Sequence, residues 1–194
     1  RKEYEHALPL SKELAERYDL NKKNVFLFVG RLVEIKNVET AIRAFAKLDQ
    51  QENVFVVVGD GPERGRLEML AKELKTDVLF TGRLEGEGLL AWYNIADVFV
   101  LPSYQEAFGA VTNEALLAGC MALVSEKAGS SCLVKDGVNG YTFSPFGVDE
   151  LAQKMNDVLR IEDKKSHTEE LRENRMLMGY GSYIKALIES LLSL

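Results

Sequence analysis

Residues 25–29 read Val-Phe-Leu-Phe-Val, an uninterrupted apolar run that ends at Gly30. Residues 54–58, Val-Phe-Val-Val-Val, repeat the pattern, and apolar side chains at helical spacing lie between the two runs. A short apolar run bounded by turn residues is typical of a strand that is buried on both faces. Such strands occur in parallel sheets, because crossover helices cover both sides of these sheets. The stretch therefore predicts a strand–helix–strand unit of an α/β fold.

The same alternation continues along the chain as far as Arg160. We predict six strands, at residues 25–29, 54–58, 78–81, 98–101, 121–125 and 141–143. We predict helices that begin at the N-cap Asn37, at Gly61-Pro62, at Gly86, near Gly109 and at Val148. The predicted fold class is α/β, a doubly wound, Rossmann-like parallel sheet of about six strands in the order 3-2-1-4-5-6.

The length of 194 residues suits one domain, or one domain with a small appendage. We predict a short helix and linker over residues 1–24, a Rossmann-like domain over 25–165 and a helical segment over 166–194. The end of that segment, residues 182–194, carries an apolar stripe that must pack on another surface. Because the chain begins with Arg1, we expect it to be a piece of a longer protein.

Composition excludes several classes of protein. The net charge of −6 leaves no polybasic surface of the kind that nucleic-acid binding requires, so no nucleic-acid partner is expected. No apolar run reaches the ~18 residues that cross a membrane. The two cysteines, Cys120 and Cys132, argue against a disulfide framework or a metal site and favour a reducing compartment. We therefore expect a cytoplasmic location.

The loop after the first strand contains two cations, Arg31 and Lys36. In a sheet of the predicted order, ligands bind where the order reverses, between the carboxyl ends of strands 1 and 4. An arginine fork and a lysine point charge at that place suit a diphosphate. Alternatively, the two are surface cations that pair with Glu34 or Glu39.

The loop after the fourth strand leads from Glu106 to a helix that contains Glu114. A carboxylate accepts two hydrogen bonds in its plane, which matches a pair of sugar hydroxyls. The amino end of the helix, near Gly109, offers free N–H groups to an anion. As an alternative, Glu106 is an ordinary N-terminal acid stabilised by the helix dipole.

The segment 59–65, Gly-Asp-Gly-Pro-Glu-Arg-Gly, loosely matches a dinucleotide fingerprint. A tight turn explains it as well, because Pro62 lacks an N–H that a phosphate would use. Arg83 follows the third strand and could meet a 2′-phosphate. An NADP-type dinucleotide-binding domain therefore stays open as an alternative.

Five motifs follow one another in a fixed order: Gly30-Arg31-Leu32 with Lys36-Asn37, Val58-Gly59-Asp60-Gly61-Pro62, Phe80-Thr81-Gly82, Glu106-x7-Glu114 with Ala118-Gly119, and Asp136-Gly-Val-Asn-Gly140. This ordered set resembles the carboxyl-terminal domain of GT-B glycosyltransferases, and specifically family 4, the retaining "group 1" transferases. The resemblance covers residues 25 to 160, and the spacing of the two glutamates is its most specific part.

The resemblance implies a domain that binds a nucleotide-sugar donor, such as a UDP- or GDP-hexose. Arg31, Lys36 and Glu106 would be the catalytic residues: the two cations neutralise the diphosphate, so no metal is expected, and the carboxylate holds hydroxyls of the donor sugar. Glu114 would hold the ribose hydroxyls. The rest of the donor site would be Gly30, Gly82, Arg83, Phe108, Gly109, Ala110 and Val111.

The resemblance also implies an amino-terminal acceptor domain of the same polypeptide, on which residues 166–194 would dock. Through that domain the protein would associate peripherally with the inner face of the membrane and act in polysaccharide biosynthesis. Without it, the chain should bind donor but not transfer a hexosyl group to a glycan or lipid-linked acceptor. A GT-B nucleotide-sugar epimerase or phosphorylase relative, and a non-enzymatic sugar-nucleotide sensor, are further alternatives.

Overall fold

The structure is a computed structural model, and it describes residues 1–161 and 170–177 together with Ser182, Lys185 and Ile188. The described strands are β1 (Asn24–Val29), β2 (Asn53–Val58), β3 (Val78–Gly82), β4 (Val98–Leu101), β5 (Met121–Ser125) and β6 (Gly140–Phe143). All pair in parallel to form one sheet of order β3-β2-β1-β4-β5-β6. The predicted fold class and strand order are confirmed.

The described helices are α1 (Lys2–His6), α2 (Leu8–Arg17), α3 (Val38–Phe45), α4 (Arg64–Glu73), α5 (Gly86–Ile95), α6 (Ala110–Ala118) and α7 (Val148–Ile161). No described helix is both long enough and apolar enough to cross a bilayer. The start of α4 differs from the prediction, which placed it at Gly61-Pro62. In the structure Gly61 accepts a hydrogen bond from the Arg64 N–H at 3.1 Å, so these residues form a turn before the helix.

The sheet separates two apolar layers. Alternate residues of a strand point to opposite faces, so each strand must be apolar throughout to fill both layers. Phe26 and Phe28 of β1 lie in the layer with α3, α4 and α7. Leu27 and Val29 lie in the opposite layer, with α1, α2, α5 and α6. Because β1 is buried on both faces, residues 25–29 of the sequence are all apolar.

Residues 1–24 form more structure than the predicted short helix and linker, because both α1 and α2 pack against α5. The buried residues of α2 are Ser11 and Ala15, and the buried Ala7 just before the helix continues the same spacing of four residues. The side-chain amide of Asn94 on α5 donates to Ser11 Oγ at 3.3 Å. Small residues let the two helices approach closely, but they give no apolar stripe in the sequence. The predicted division of the chain into domains stays a prediction.

Residues 170–177, inside the predicted helical segment, are not helical and pack on the edge of the sheet where the strands begin. The guanidinium of Arg172 is buried there and donates to the carbonyl oxygens of Tyr93, at 3.1 Å, and Ala96. These oxygens lie at the end of α5, where carbonyls lack helical partners. The predicted helix over 182–194 lies outside the described residues, apart from Ser182, Lys185 and Ile188, which are helical.

A glycine substitution tests the close approach of the loops after β1 and β2. A Cβ atom on Gly61 would overlap the backbone oxygen of Leu32, whereas a Cβ on Gly65 would meet no heavy atom within 4 Å. We expect Gly61→Ala to lower the free energy of unfolding by about 1–3 kcal/mol through steric strain. The control Gly65→Ala lies in α4 and should raise it, by up to about 1 kcal/mol. Urea denaturation of both variants measures the difference, and equal stabilities would contradict the packing described here.

Candidate functional site

Two loops meet at the edge of the sheet where the strands end. Residues 30–37 follow β1 and residues 102–109 follow β4, and the two strands are neighbours in the sheet. The backbone N–H of Tyr104 donates to the carbonyl oxygen of Ile35 at 2.9 Å. The two loops that the sequence singles out therefore meet at the reversal of strand order.

Asn37 joins three segments at this edge rather than capping a helix. It occupies the N-cap position of α3, but its side chain makes no capping hydrogen bond. Its buried amide donates to the carbonyl oxygens of Pro102, at 3.0 Å, and Pro145, at 2.8 Å. Its Oδ1 accepts a hydrogen bond from Thr40 Oγ1 at 2.8 Å. Asn37 is thus at the predicted N-cap position. Its side chain, however, holds together the loops after β1, β4 and β6 and does not cap α3.

Lys36 and Glu106 form an ion pair across the two loops, between Nζ and Oε2. Their side chains are only 22% and 18% exposed, so the pair is partly shielded from water. The backbone of Glu106 is also fixed, because its carbonyl oxygen accepts from the Gly129 N–H at 2.8 Å. The alternative partner Glu39 is bonded to arginines instead. Lys36 is therefore not a cation paired with its own loop or with α3.

Arg31 lies in a neighbouring cleft, of about 360 Å³, at the ends of β1 and β2. Gly30, Asp60 and Arg83 also line this cleft. Arg31 is exposed, and the exposed guanidinium of Arg83 pairs with Glu85. Arg31 and Arg83, which are about fifty residues apart in sequence, thus border one cleft. Lys36 lies instead where the loops after β1 and β4 meet.

Loop packing explains two of the three glycines of segment 59–65, Gly59 and Gly61. A Cβ on Gly59 would overlap the carbonyl oxygen of Gly30. The Leu32 N–H donates to the Asp60 carbonyl oxygen at 2.9 Å, and the Glu63 N–H returns a bond to the Leu32 oxygen at 3.1 Å. The tight-turn interpretation of this segment accounts for Gly59 and Gly61 without a dinucleotide.

The amino end of α6 faces the same edge. Gly109 precedes the helix with φ +64°, and a Cβ on it would clash with Ser130 Oγ and lie 3.1 Å from Leu101 Cδ2. The first amides of a helix, here those of Ala110 and Val111, have no acceptor inside it. Together with the helix dipole they favour an anion in front of α6. Phe108, just before Gly109, is 57% exposed.

Glu114 lies on α6, half-buried, and a tyrosine holds its carboxylate. The hydroxyl of Tyr93, on α5, donates to Glu114 Oε2 at 2.8 Å. Burial, and then the negative charge of Glu114, raise the pKa of the Tyr93 hydroxyl well above its ordinary value. Sequence reasoning missed Tyr93, because it lies within the apolar run Ala91-Trp92-Tyr93 and looks like any core aromatic.

Comparison with known proteins identifies the family. The family model described as "Glycosyl transferases group 1" matches residues 11–175. The chain belongs to the group 1 glycosyltransferases. Alpha-D-kanosaminyltransferase from Streptomyces kanamyceticus is 33% identical to it over 175 residues, which cover 88% of this chain and 45% of that protein. This group 1 chain therefore spans less than half the length of that relative.

Solved structures share the fold of this group 1 chain. Anabaena Alr3699/HepE, crystallised in complex with UDP, matches with a TM-score of 0.74 at 23% identity, over 95% of this chain and 52% of that one. The carboxyl-terminal domain of the group 1 protein LpcC from Francisella tularensis matches with a TM-score of 0.68 at 20% identity, over 79% and 85%. The predicted resemblance to a GT-B group 1 carboxyl-terminal domain is confirmed.

The buried Tyr93–Glu114 contact predicts a loss of stability at alkaline pH. The folded state holds the Tyr93 proton more tightly than the unfolded state, in which a tyrosine ionises near pH 10. The free energy of unfolding should therefore be unaffected below pH ~10 and fall above it, by up to about 1.4 kcal/mol per pH unit for each such tyrosine. Tyr4, whose pKa is also raised by burial, contributes in the same direction.

Tyr93→Phe should make this alkaline loss less steep, and urea denaturation between pH 8 and 11 measures the slope. The control Tyr18→Phe removes the hydroxyl of an exposed ring and should leave the slope unchanged. Identical slopes for wild type and Tyr93→Phe would contradict a buried, protonated Tyr93.

Proposed function

We propose that this chain is the donor-binding domain of a retaining glycosyltransferase, which transfers a hexosyl group from a nucleotide sugar to a glycan or lipid-linked acceptor. The observation that carries the proposal is the Lys36–Glu106 pair beside the amino end of α6. It supplies a cation, a carboxylate and free amides at one place in a chain of the group 1 family. The structure of HepE with UDP supports a nucleotide in the same fold.

Cations and amides would act on the leaving group. Breaking the anomeric C–O bond places negative charge on the departing diphosphate. Arg31, Lys36 and the amides of Phe108 to Val111 would stabilise that charge more in the transition state than in the bound donor, because they are already in position. In this proposal the protein supplies the neutralising charge and no metal cofactor takes part.

Glu106 would position the donor sugar rather than attack it. Its Oε2 is paired with Lys36, and its backbone is fixed by residues 127–129, so its remaining oxygen can accept sugar hydroxyls. Glu114 would accept the ribose hydroxyls. Gly30, Gly82 and Arg83 would border the nucleoside, since Gly30 and Arg83 line the cleft beside Arg31.

The remaining partners follow from the length of the chain and its thiols. Because the chain spans less than half of its kanosaminyltransferase relative, we propose that an amino-terminal acceptor domain completes the enzyme and that the chain alone does not transfer. Cys120 and Cys132, the two cysteines of the chain, form no disulfide with each other, which supports a cytoplasmic location. Association with the inner face of the membrane would depend on the acceptor domain.

Calorimetric titration of the chain with UDP, GDP and NADPH tests the proposal. We expect UDP or GDP to bind and NADPH not to bind. Arg31→Ala and Glu114→Ala should each weaken nucleotide binding by about 1–3 kcal/mol, the size of a hydrogen bond to a charged group. Arg43→Ala, which removes an arginine of α3 paired with Glu39, is the matched control and should leave binding unchanged.

The opposite result would favour the dinucleotide alternative. If NADPH bound at micromolar concentration and neither UDP nor GDP did, the donor-domain proposal would be wrong. If UDP or GDP bound but Arg31→Ala and Glu114→Ala behaved as wild type, the donor would lie elsewhere on the domain.

A further inference from the structure

Two tyrosines from different helices converge on Glu114. Tyr93 of α5 donates to the carboxylate Oε2 at 2.8 Å, and Tyr4 of α1 donates to the backbone carbonyl oxygen of the same residue at 3.1 Å. Tyr93 is fully buried and Tyr4 is 7% exposed. Glu114 is thus held both at its carboxylate and at its backbone. Its half-buried side chain therefore rotates less freely than that of an exposed surface glutamate.

Among the described residues, none donates a hydrogen bond to the second oxygen of the carboxylate, Glu114 Oε1, whereas Oε2 is held by Tyr93. A carboxylate oxygen accepts in the plane of the group, so a bond to one oxygen also sets the direction in which the other can accept. Tyr93 therefore determines where a ligand hydroxyl must lie to be bound by Glu114.

Tyr93 is itself rigidly placed. Its backbone carbonyl oxygen accepts hydrogen bonds from Cys120 Sγ at 3.4 Å and from Arg172 Nη2 at 3.1 Å. Its ring lies 6.4 Å from that of Phe99, centroid to centroid, in the apolar layer. The hydroxyl is the only polar atom of the side chain, and the packed ring allows it little movement.

The nature of this donor also matters. A phenol is uncharged, so Glu114 keeps its full negative charge, whereas the ammonium of Lys36 offsets the charge of Glu106. Because burial and the carboxylate raise the pKa of Tyr93, the hydroxyl stays protonated and remains a donor. Glu114 is thus an oriented anion, suited to accept hydrogen bonds from neutral hydroxyls.

We propose that Tyr93 is a positioning residue that aims the Glu114 carboxylate, and so makes the site prefer ribonucleotides to 2′-deoxyribonucleotides. The inference rests on the proposed function, in which Glu114 meets the ribose. A loosely held carboxylate could turn to bond the 3′-hydroxyl alone. A carboxylate held by Tyr93 accepts from both neighbouring hydroxyls, and loses one bond when the 2′-hydroxyl is missing.

The test compares the affinity of the chain for UDP with its affinity for 2′-deoxy-UDP by calorimetry. If GDP is the better ligand, GDP and 2′-deoxy-GDP are compared instead. Wild type should bind the ribonucleotide at least about 10-fold more tightly, as expected for a hydrogen bond to a charged group. Tyr93→Phe should reduce the preference to about threefold or less. The loss should fall on the ribonucleotide, with the deoxyribonucleotide little changed.

Tyr4→Phe is the matched control. It also removes one buried hydroxyl bonded to Glu114, but at the backbone, which α6 holds by its own hydrogen bonds. We expect it to keep the wild-type preference. In the Glu114→Ala background, adding Tyr93→Phe should change neither affinity, because no carboxylate is left to orient. This double variant also tests the coupling if Tyr93→Phe alone folds poorly, and circular dichroism checks folding.

The outcomes separate this inference from the proposed function. If Tyr93→Phe weakens both nucleotides equally, or leaves the preference intact, Tyr93 has only a structural role and the inference is wrong. If wild type binds UDP or GDP without any preference for ribose, the inference fails while donor binding stands. If wild type binds neither UDP nor GDP, the proposed function itself fails.

Discussion

The parallel pairing of β1 with β4 is the constraint on which the site depends. Val25 and Asp97 are 72 residues apart, yet the Val25 N–H donates to Asp97 Oδ2 at 2.7 Å, and the Asp97 N–H donates to the Val25 oxygen at 2.9 Å. This contact aligns the two strands where they begin. Because both strands run in the same direction, their carboxyl ends carry two loops to one edge, where Lys36 meets Glu106.

The two acidic residues of the site are held by different chemistry. Lys36 forms an ion pair with Glu106, and each of the two side chains is only about one-fifth exposed. Tyr93 meets Glu114 as a neutral donor from a fully buried ring. A carboxylate paired with a cation is suited to fixing a position, while one held by a phenol keeps its charge for a ligand. The two glutamates have the same side chain, but a positive charge offsets that of Glu106 and none offsets that of Glu114 among the described contacts.

The cations at the carboxyl ends of the strands are opposite in sign to the net charge of the chain. The chain carries a net charge of −6, which by itself suggests no anionic ligand. Lys36 nevertheless lies at the carboxyl ends of the strands, paired with Glu106 in the loop that leads to α6, and Arg31 and Arg83 border the neighbouring cleft. Interactions between exposed charges fade beyond about 10 Å in salt, so a local group of cations and amides can attract a diphosphate on an acidic protein.

The sequence by itself determined the strands, their order and the loops that meet, because periodicity reports burial within one element and parallel sheets follow few connection rules. Only the tertiary structure decided which side chains pair. Nothing in the spacing distinguishes Tyr93 from a core aromatic, or Asn37 from a helix cap. The small buried residues of α2, Ser11 and Ala15, form no apolar pattern in the sequence either. Such contacts join elements distant in sequence, and their geometry exists only once the helices have packed on the sheet.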